Sequence, residues 1–420
     1  MSDLLEITAA TVDPALLDLP WEVPLEEWPD EILAALPRGI SRHTVRFVNL
    51  SNRVIAVKEI GPSVAHHEFH MLRDLSRLDA PSVLPTAVIT GRRTPVGEEL
   101  NAVLVTEHLQ FSLPYRALFS QHMSADTATR LIDALAVLLV RLHLLGFYWG
   151  DVSLSNTLFR RDAGAFSAYL VDAETGELHP ALTRGQREYD VDLARTNIIG
   201  ELMDLQAGLY FPADADPIDI GDRIRTRYED LWNELTAVET VETVGANPRL
   251  RVAQRIRRLN DLGFDVGELK MTTDASGTRL EIQPKVVDAG HHHRKLMRLT
   301  GMDVGENQAR RLLNDIETFR ATTGRSDAPL EIVAHEWLSS VFEPVVRAVP
   351  AELARKLEPA QIFHEFLEHR WYRSQQAGYD VPFEEVIASY VAEVLPAKRD
   401  EAILISSDEA ASAADDPDLW

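Results

Sequence analysis

GFYWGDVSLSNTLF, residues 146–159, is the stretch that decides the fold. Asp151 and Asn156 stand five residues apart in it, after a long apolar helical pattern and before a strand-like run, NTLFR. Sixteen residues beyond Asn156, Asp172 ends a second apolar run, AYLVD. Phosphoryl transfer needs an acceptor group that orients and deprotonates a hydroxyl, and hard oxygen ligands for Mg²⁺. Asp151 suits the first role; Asn156 and Asp172 suit the second. Any one of these side chains alone reads as a turn former or a helix cap. The three at these spacings point to phosphotransfer chemistry.

Working upstream, HTVRFVNL (43–50) and VIAVKEI (54–60) read as two strands joined by a tight turn. Val54, Ala56 and Lys58 share one face, because side chains alternate along a strand. Ala56 leaves room for a flat adenine and Lys58 can reach phosphates; the alternative is a solvent-facing strand lysine. Residues 63–78 read as a helix with an apolar stripe of Ala65, Phe69, Leu72 and Leu75. Glu68 falls within that stripe, and a buried carboxylate demands a cation. Lys58 is the natural partner. His66, His67 and His70 lie on the wetter faces. AVIT (87–90) and NAVLVTEHL (101–109) read as two more strands. A helix follows, with Ser124 as N-cap and Leu131, Leu135, Leu138, Leu139 and Leu142 on its buried face, and residues 190–205 are helical again.

With these residues in place, the pattern G-x-x-x-G-D-x-x-x-x-N-x-L from Gly146 resembles the catalytic core of protein-kinase-like phosphotransferases. Its Gly150–Asp151 form is closer in style to lipopolysaccharide kinases and aminoglycoside phosphotransferases. The resemblance covers about 37–235 and implies an α+β, two-lobed fold, N-lobe 37–109 and C-lobe 110–235, with ATP and Mg²⁺ as cofactors. It makes Lys58 the phosphate anchor, Glu68 its helix partner and Asp151 the catalytic base, with Asn156 and Asp172 as metal ligands. It makes Thr106–Leu109 the hinge that holds adenine, Glu107 and Leu109 included, beside Ala56. The family's Gly-rich phosphate loop would lie in LPRGISRH, where only Gly39 is present; Arg42 or His43 would then act as side-chain clamps. Trp149 stands where the family has histidine. Ala173 and Glu174 stand where it has phenylalanine and glycine, and Glu174 reads as exposed.

The remainder of the chain sets bounds. Among 420 residues there are 66 acidic and 42 basic ones, a net charge of −24. Such a field disfavours nucleic acid and anionic membranes. Without cysteine, disulfides, thiol catalysis and cysteine-ligated metals are excluded. MSDLLEITAATVDP has no basic n-region and no run reaches membrane-span length, so a cytoplasmic location without a membrane span is expected. Residues 1–36 read as an extension that packs on the domain, with a short helix over Asp30–Leu36. Residues 239–248 read as a linker into a mainly α-helical domain, 236–400, before a disordered acidic tail, 401–420. That domain opens on a basic helix whose Arg251, Arg255 and Arg258 read first as a solvated face and second as a groove for an acidic partner, and a strand pair near 268–273 and 279–283 follows. The second half of the chain, with QPKVVDAGHHHRKLMRLTGMDVGENQARRLLNDIE (283–317), is similar to a bacterial domain of unknown function found fused to kinase-like lobes. His291, His292, Arg294 and Lys295 suit an anionic ligand; three consecutive histidines cannot all face one metal ion. His364 and His369, five apart, do not make a zincin pair. The expected activity is transfer of the ATP γ-phosphate to a hydroxyl of a sugar, glycan or protein. A nucleotide-binding regulator without turnover and an interaction scaffold are the alternatives.

Overall fold

The computed structural model describes residues 4–10, 13–34, 43–51, 53–119, 125–237, 239–242, 248–262, 264–273 and 279–398. Gly39, Arg42, Ser124 and the 401–420 tail lie outside them. The described chain combines helix and sheet in two compact units. The first comprises Met1–Phe159 and Ala168–Arg225; the second comprises Arg160–Ser167 and Thr226–Ala402.

The first unit begins with β1 (Glu6–Ala9), β2 (Thr44–Leu50), β3 (Arg53–Ile60), α1 (Pro62–Arg77), β4 (Pro85–Thr90) and β5 (Ala102–Glu107). The strands make a five-stranded antiparallel sheet in the order β1–β4–β5–β3–β2. Alternation sorts its faces. Ile55, Val57, Ala87, Ile89, Val103 and Val105 face a cluster with Leu16, Trp21, Leu25 and Trp28 of the N-terminal arm. Ala56 and Lys58 point to the other face, opposite Thr106 and Leu104 of β5.

The arm is therefore part of the core. Burying each large apolar side chain contributes roughly 1.5–3 kcal/mol. Arg92, 1% exposed, ties it down further, donating to the carbonyls of Trp21 (2.9 Å) and Val23 (2.6 Å) and to Glu59 (2.8 Å). The helix expected over Asp30–Leu36 is instead a single 3₁₀ turn, Asp30–Ile32. Leu33 leaves it to bridge Val48 of β2, so sheet pairing takes the backbone that a helix would need.

Next come β6 (Ser112–Pro114), α2 (Tyr115–Phe119), α3 (Ala125–Leu144), β7 (Phe147–Tyr148), β8 (Thr157–Asp162), β9 (Ala165–Leu170), β10 (Glu177–Leu178), α4 (Arg184–Ala207) and α5 (Pro217–Thr236). The predicted leucine stripe of α3 is buried throughout, Leu131 to Leu142. β8 starts one residue after Asn156 and β9 ends two residues before Asp172, so one hairpin carries both residues at its feet.

The second unit contains β11 (Glu239–Glu242), α6 (Pro248–Asp261), β12 (Phe264–Thr273), β13 (Arg279–Ala289), α7 (His291–Thr300), α8 (Glu306–Thr322), α9 (Leu330–Trp337), α10 (Glu343–Arg347), α11 (Pro359–Ala377) and α12 (Phe383–Ser389). It is mainly helical, around a core that includes Leu312, Ile316, Trp337, Phe363, Phe366 and Tyr390. Three expectations are corrected. The start of the expected linker, Glu239–Glu242, pairs with β13 as an edge strand. The strand pair is longer than predicted, ten and eleven residues. Arg255 is 4% exposed and bonded to Glu234 at 2.5 Å, so it does not belong to a solvated face.

The tip of the β8–β9 hairpin groups with this unit. Asp162, 1% exposed, accepts from the Asn307 and Gln308 N–H groups at 3.1 and 2.6 Å and from Ser167 Oγ at 2.7 Å. A carboxylate there satisfies the otherwise unpaired first turn of α8 and complements its dipole. Among the described residues no helix is long and apolar enough to cross a membrane.

Candidate active site

Lys58 reaches three carboxylates from β3. Its Nζ lies 3.0 Å from Glu68, 2.8 Å from Asp172 and 3.7 Å from Glu174. Glu68 comes from the inward stripe of α1 and is 1% exposed; its second oxygen faces the Ala173 N–H at 3.4 Å. Burial pushes the Glu68 carboxyl up, Asp172 pushes it the same way and Lys58 pulls back, leaving it at about 7. Burial by itself lowers the Lys58 ammonium, but attraction to Glu68 and Asp172 outweighs it and holds the group above its ordinary value. Lys58 is thus a fixed cation at neutral pH.

The loop bearing Asp151 and Asn156 is pinned from one face of α4. Asp190, fully buried, accepts from the N–H groups of Trp149 (2.8 Å) and Gly150 (2.9 Å) and lies 3.1 Å from His143 Nε2. Burial pulls the His143 pKa down, so a neutral ring with its proton on Nε2 satisfies that contact. Seven residues on, Asn197 donates to the Val152 carbonyl at 2.9 Å. Four further, Glu201 accepts from the Leu154 and Ser155 N–H groups at 2.9 and 2.8 Å and from Ser155 Oγ. Spacings of seven and four keep all three on one helical face. Sequence reasoning missed Asp190, Asn197 and Glu201. The available signal was three polar residues at helical spacing among Val191, Ala194, Ile198 and Leu202, which are buried.

Gly146 makes the loop possible. It has φ +82°, and a Cβ there would come 2.0 Å from the His179 carbonyl oxygen. Within the loop, Asn156 Nδ2 donates to the Asp151 backbone carbonyl at 2.9 Å and to its carboxylate at 3.0 Å, fixing the carboxylate's direction. The Val171 N–H reaches the Asn156 carbonyl at 3.1 Å, drawing the feet of the hairpin together. Trp149 is fully buried, and its indole N–H donates to the Asp172 carbonyl at 2.9 Å. One tryptophan therefore joins the loop to the strand end. The Glu174 N–H donates to Asp172 at 2.9 Å.

The structure brings Lys58, Glu68 and Asp172 into direct contact, and joins Asn156 to Asp151. Glu174, expected to be exposed, is half-buried, faces Lys58 and lies 3.1 Å from His43. His67 lies 2.9 Å from the Gly176 carbonyl. Along Thr106–Leu109, the N–H groups of Glu107 and His108 are taken by the Leu84 and Val54 carbonyls at 2.8 and 3.0 Å. The Glu107 carboxylate is paired with Arg53, and the Leu109 carbonyl accepts from Ser112 at 2.6 Å. Gly39 is beyond the described residues.

Asp172 and Asn156 supply the hard oxygen donors that suit Mg²⁺. Among the described residues no three acidic or histidine side chains are gathered as a self-sufficient metal cage. At the start of α7, the helix end that opens the basic run is already capped by a carboxylate. The His292 and His293 N–H groups both donate to Glu306, at 2.8 and 3.0 Å, and His292 Nδ1 lies 2.5 Å from the same carboxylate. Glu306 thus already occupies the helix start an anion would take.

Residues 49–198 match the model of the lipopolysaccharide kinase (Kdo/WaaP) family. Residues 230–395 match a domain of unknown function, DUF4032. A solved structure described as WaaP in complex with acyl carrier protein aligns at 14% identity, over 61% of this chain and 99% of its own, with a TM-score of 0.35. No curated protein matches the chain.

Proposed function

We propose that the first unit is an ATP- and Mg²⁺-dependent phosphotransferase that moves the γ-phosphate onto a hydroxyl of a sugar, glycan or protein. The observation that carries this reading is the contact of Lys58 with both Glu68 and Asp172, residues ten and 114 positions away. The match of residues 49–198 to a kinase family supports it. Lys58 anchors the phosphates, and Glu68 holds the ammonium in place. Asp151, aimed by Asn156, orients the acceptor hydroxyl and takes its proton. When bound, Mg²⁺ held by Asp172 and Asn156 neutralises phosphate charge. Ala56, together with Glu107 and Leu109, forms the adenine face. Asp190, Asn197 and Glu201 touch neither substrate; they hold the loop that does, and positioning is the main contribution protein makes to this reaction.

The test is label transfer from γ-labelled ATP, including hydrolysis and autophosphorylation. Asp151→Ala should slow the transfer by about 10²-fold or more. Equal rates in wild type and variant would remove the enzyme reading. Saturable ATP binding without transfer would leave a nucleotide-binding regulator.

A further inference from the structure

The second unit holds a cavity of about 560 Å³ lined by residues of α8 and α11. Its volume is that of a small-molecule site. Leu312, Phe363 and Leu367 supply apolar wall. On the polar side, Arg311 Nη1 lies 3.2 Å from His364 Nδ1 and 3.8 Å from Glu368, and His364 Nε2 lies 3.2 Å from Glu368. Trp371 and Tyr372 follow one turn further along α11, 66% and 53% exposed. Large aromatic surface left in water beside a cavity is unusual for a helix whose other face is in the core. Gln308, also in the lining, is only 4% exposed. Its Nε2 donates to the Ala360 carbonyl at 2.5 Å, while its Oε1 has no partner among the described residues.

The lining selects a chemical class. Its charges are Arg311, Asp315 and Glu368, and the Asp315 carboxylate already accepts from the Trp337 indole N–H at 2.6 Å, which leaves one guanidinium beside one carboxylate. An anionic ligand meets Glu368, and a cationic one meets Arg311. His364 is engaged at both ring nitrogens, Nδ1 by Arg311 and Nε2 by Glu368, so it ties that pair together and leaves the remaining guanidinium N–H groups and the exposed Glu368 carboxylate as the donors and acceptors a ligand meets. Flat aromatic faces next to paired donors and acceptors suit a ligand with an apolar ring face and hydroxyls around its edge. We propose that this cavity binds a neutral polyhydroxylated ring, a sugar residue in chemical class, with its ring face on Trp371 and Tyr372 and its hydroxyls on Arg311 and Glu368. The proposal is independent of the phosphotransfer reading, because every residue it uses lies in the second unit.

The full chain is titrated with maltose, lactose and N-acetylglucosamine, with binding read by tryptophan fluorescence and by equilibrium dialysis. At least one sugar should bind saturably. Trp371→Ala and Arg311→Ala should each weaken it by about tenfold. Without sugar, Trp371→Ala should melt with the wild type, since the ring is mostly in water. Should that variant fold poorly, Glu368→Gln replaces it, at an exposed side chain whose change keeps the shape. Absence of saturable binding by all three sugars overturns the proposal, as does equal affinity in wild type and variants. Choline or adenosine binding at this cavity in place of the sugars would overturn the assigned class.

Discussion

At the residue scale, Glu68 makes the clearest solution prediction. An unfolded glutamate titrates near 4.5, whereas the folded carboxyl sits at about 7. Between those values the folded protein holds a proton that the unfolded chain has released. Stability from this group is therefore fullest below about pH 4.5 and is lost as pH rises through about 7. Glu68→Gln removes the titration. Its stability relative to wild type should improve on going from about pH 5 to about pH 8, by on the order of 1–3 kcal/mol. A difference that does not change with pH would contradict the assignment. Asp190 gives a second prediction. Asp190→Ala leaves the buried N–H groups of Trp149 and Gly150 without acceptors, which should cost ~3–5 kcal/mol in urea denaturation. A cost under about 1 kcal/mol, the range of ordinary surface substitutions, would rule out the anchoring role.

At the element scale, α4 holds the 149–155 loop through Asp190, Asn197 and Glu201. Asn197→Ala removes the bond to the Val152 carbonyl without touching Lys58, Glu68 or Asp172, the residues proposed to meet the nucleotide. It should lower the transfer rate about ten- to a hundredfold while ATP affinity changes by less than about threefold. Parallel losses in rate and affinity would instead mean that α4 shapes the nucleotide pocket itself. This scale also marks the limit of what the sequence discloses. β3 and α1 were legible because alternation and the 3.6 period place Lys58 and Glu68 on inward faces. The spacing of Asp151, Asn156 and Asp172 marked the segment in which Asn156 bonds Asp151 and in which Asn156 and Asp172 stand at the two feet of the β8–β9 hairpin. The anchors on α4 were not legible, because Asp190 and Glu201, which accept from loop N–H groups, and Asn197, which donates to a loop carbonyl, look like an ordinary wet stripe until the loop is folded over them. Glu174 misled for a related reason. Its surroundings include His43, 131 residues away in the chain. Arg255 misled because its partner, Glu234, sits on a different helix.

At the scale of the whole molecule, the chain does not divide at a single point. Residues 160–167 leave the first unit and group with 226–402. Within the second unit, Asp162 meets the first turn of α8. The strands that lead to this tip begin beside Asn156 and end beside Asp172. Asp162→Ala leaves buried N–H groups at the α8 start without an acceptor and should destabilise the chain by ~2–4 kcal/mol, read from the calorimetric transition. An unchanged transition would show that the cap contributes nothing.

The central claim is that side chains spread from Lys58 to Asp172 form one nucleotide site. Calorimetric titration of the full chain with Mg·ATP tests it most directly, comparing wild type with Lys58→Met and Asp172→Ala. Wild type should bind saturably. Lys58→Met should weaken binding about tenfold or more, and Asp172→Ala should abolish the Mg²⁺ dependence. Identical isotherms for all three proteins, or no heat of binding in any, would contradict the account.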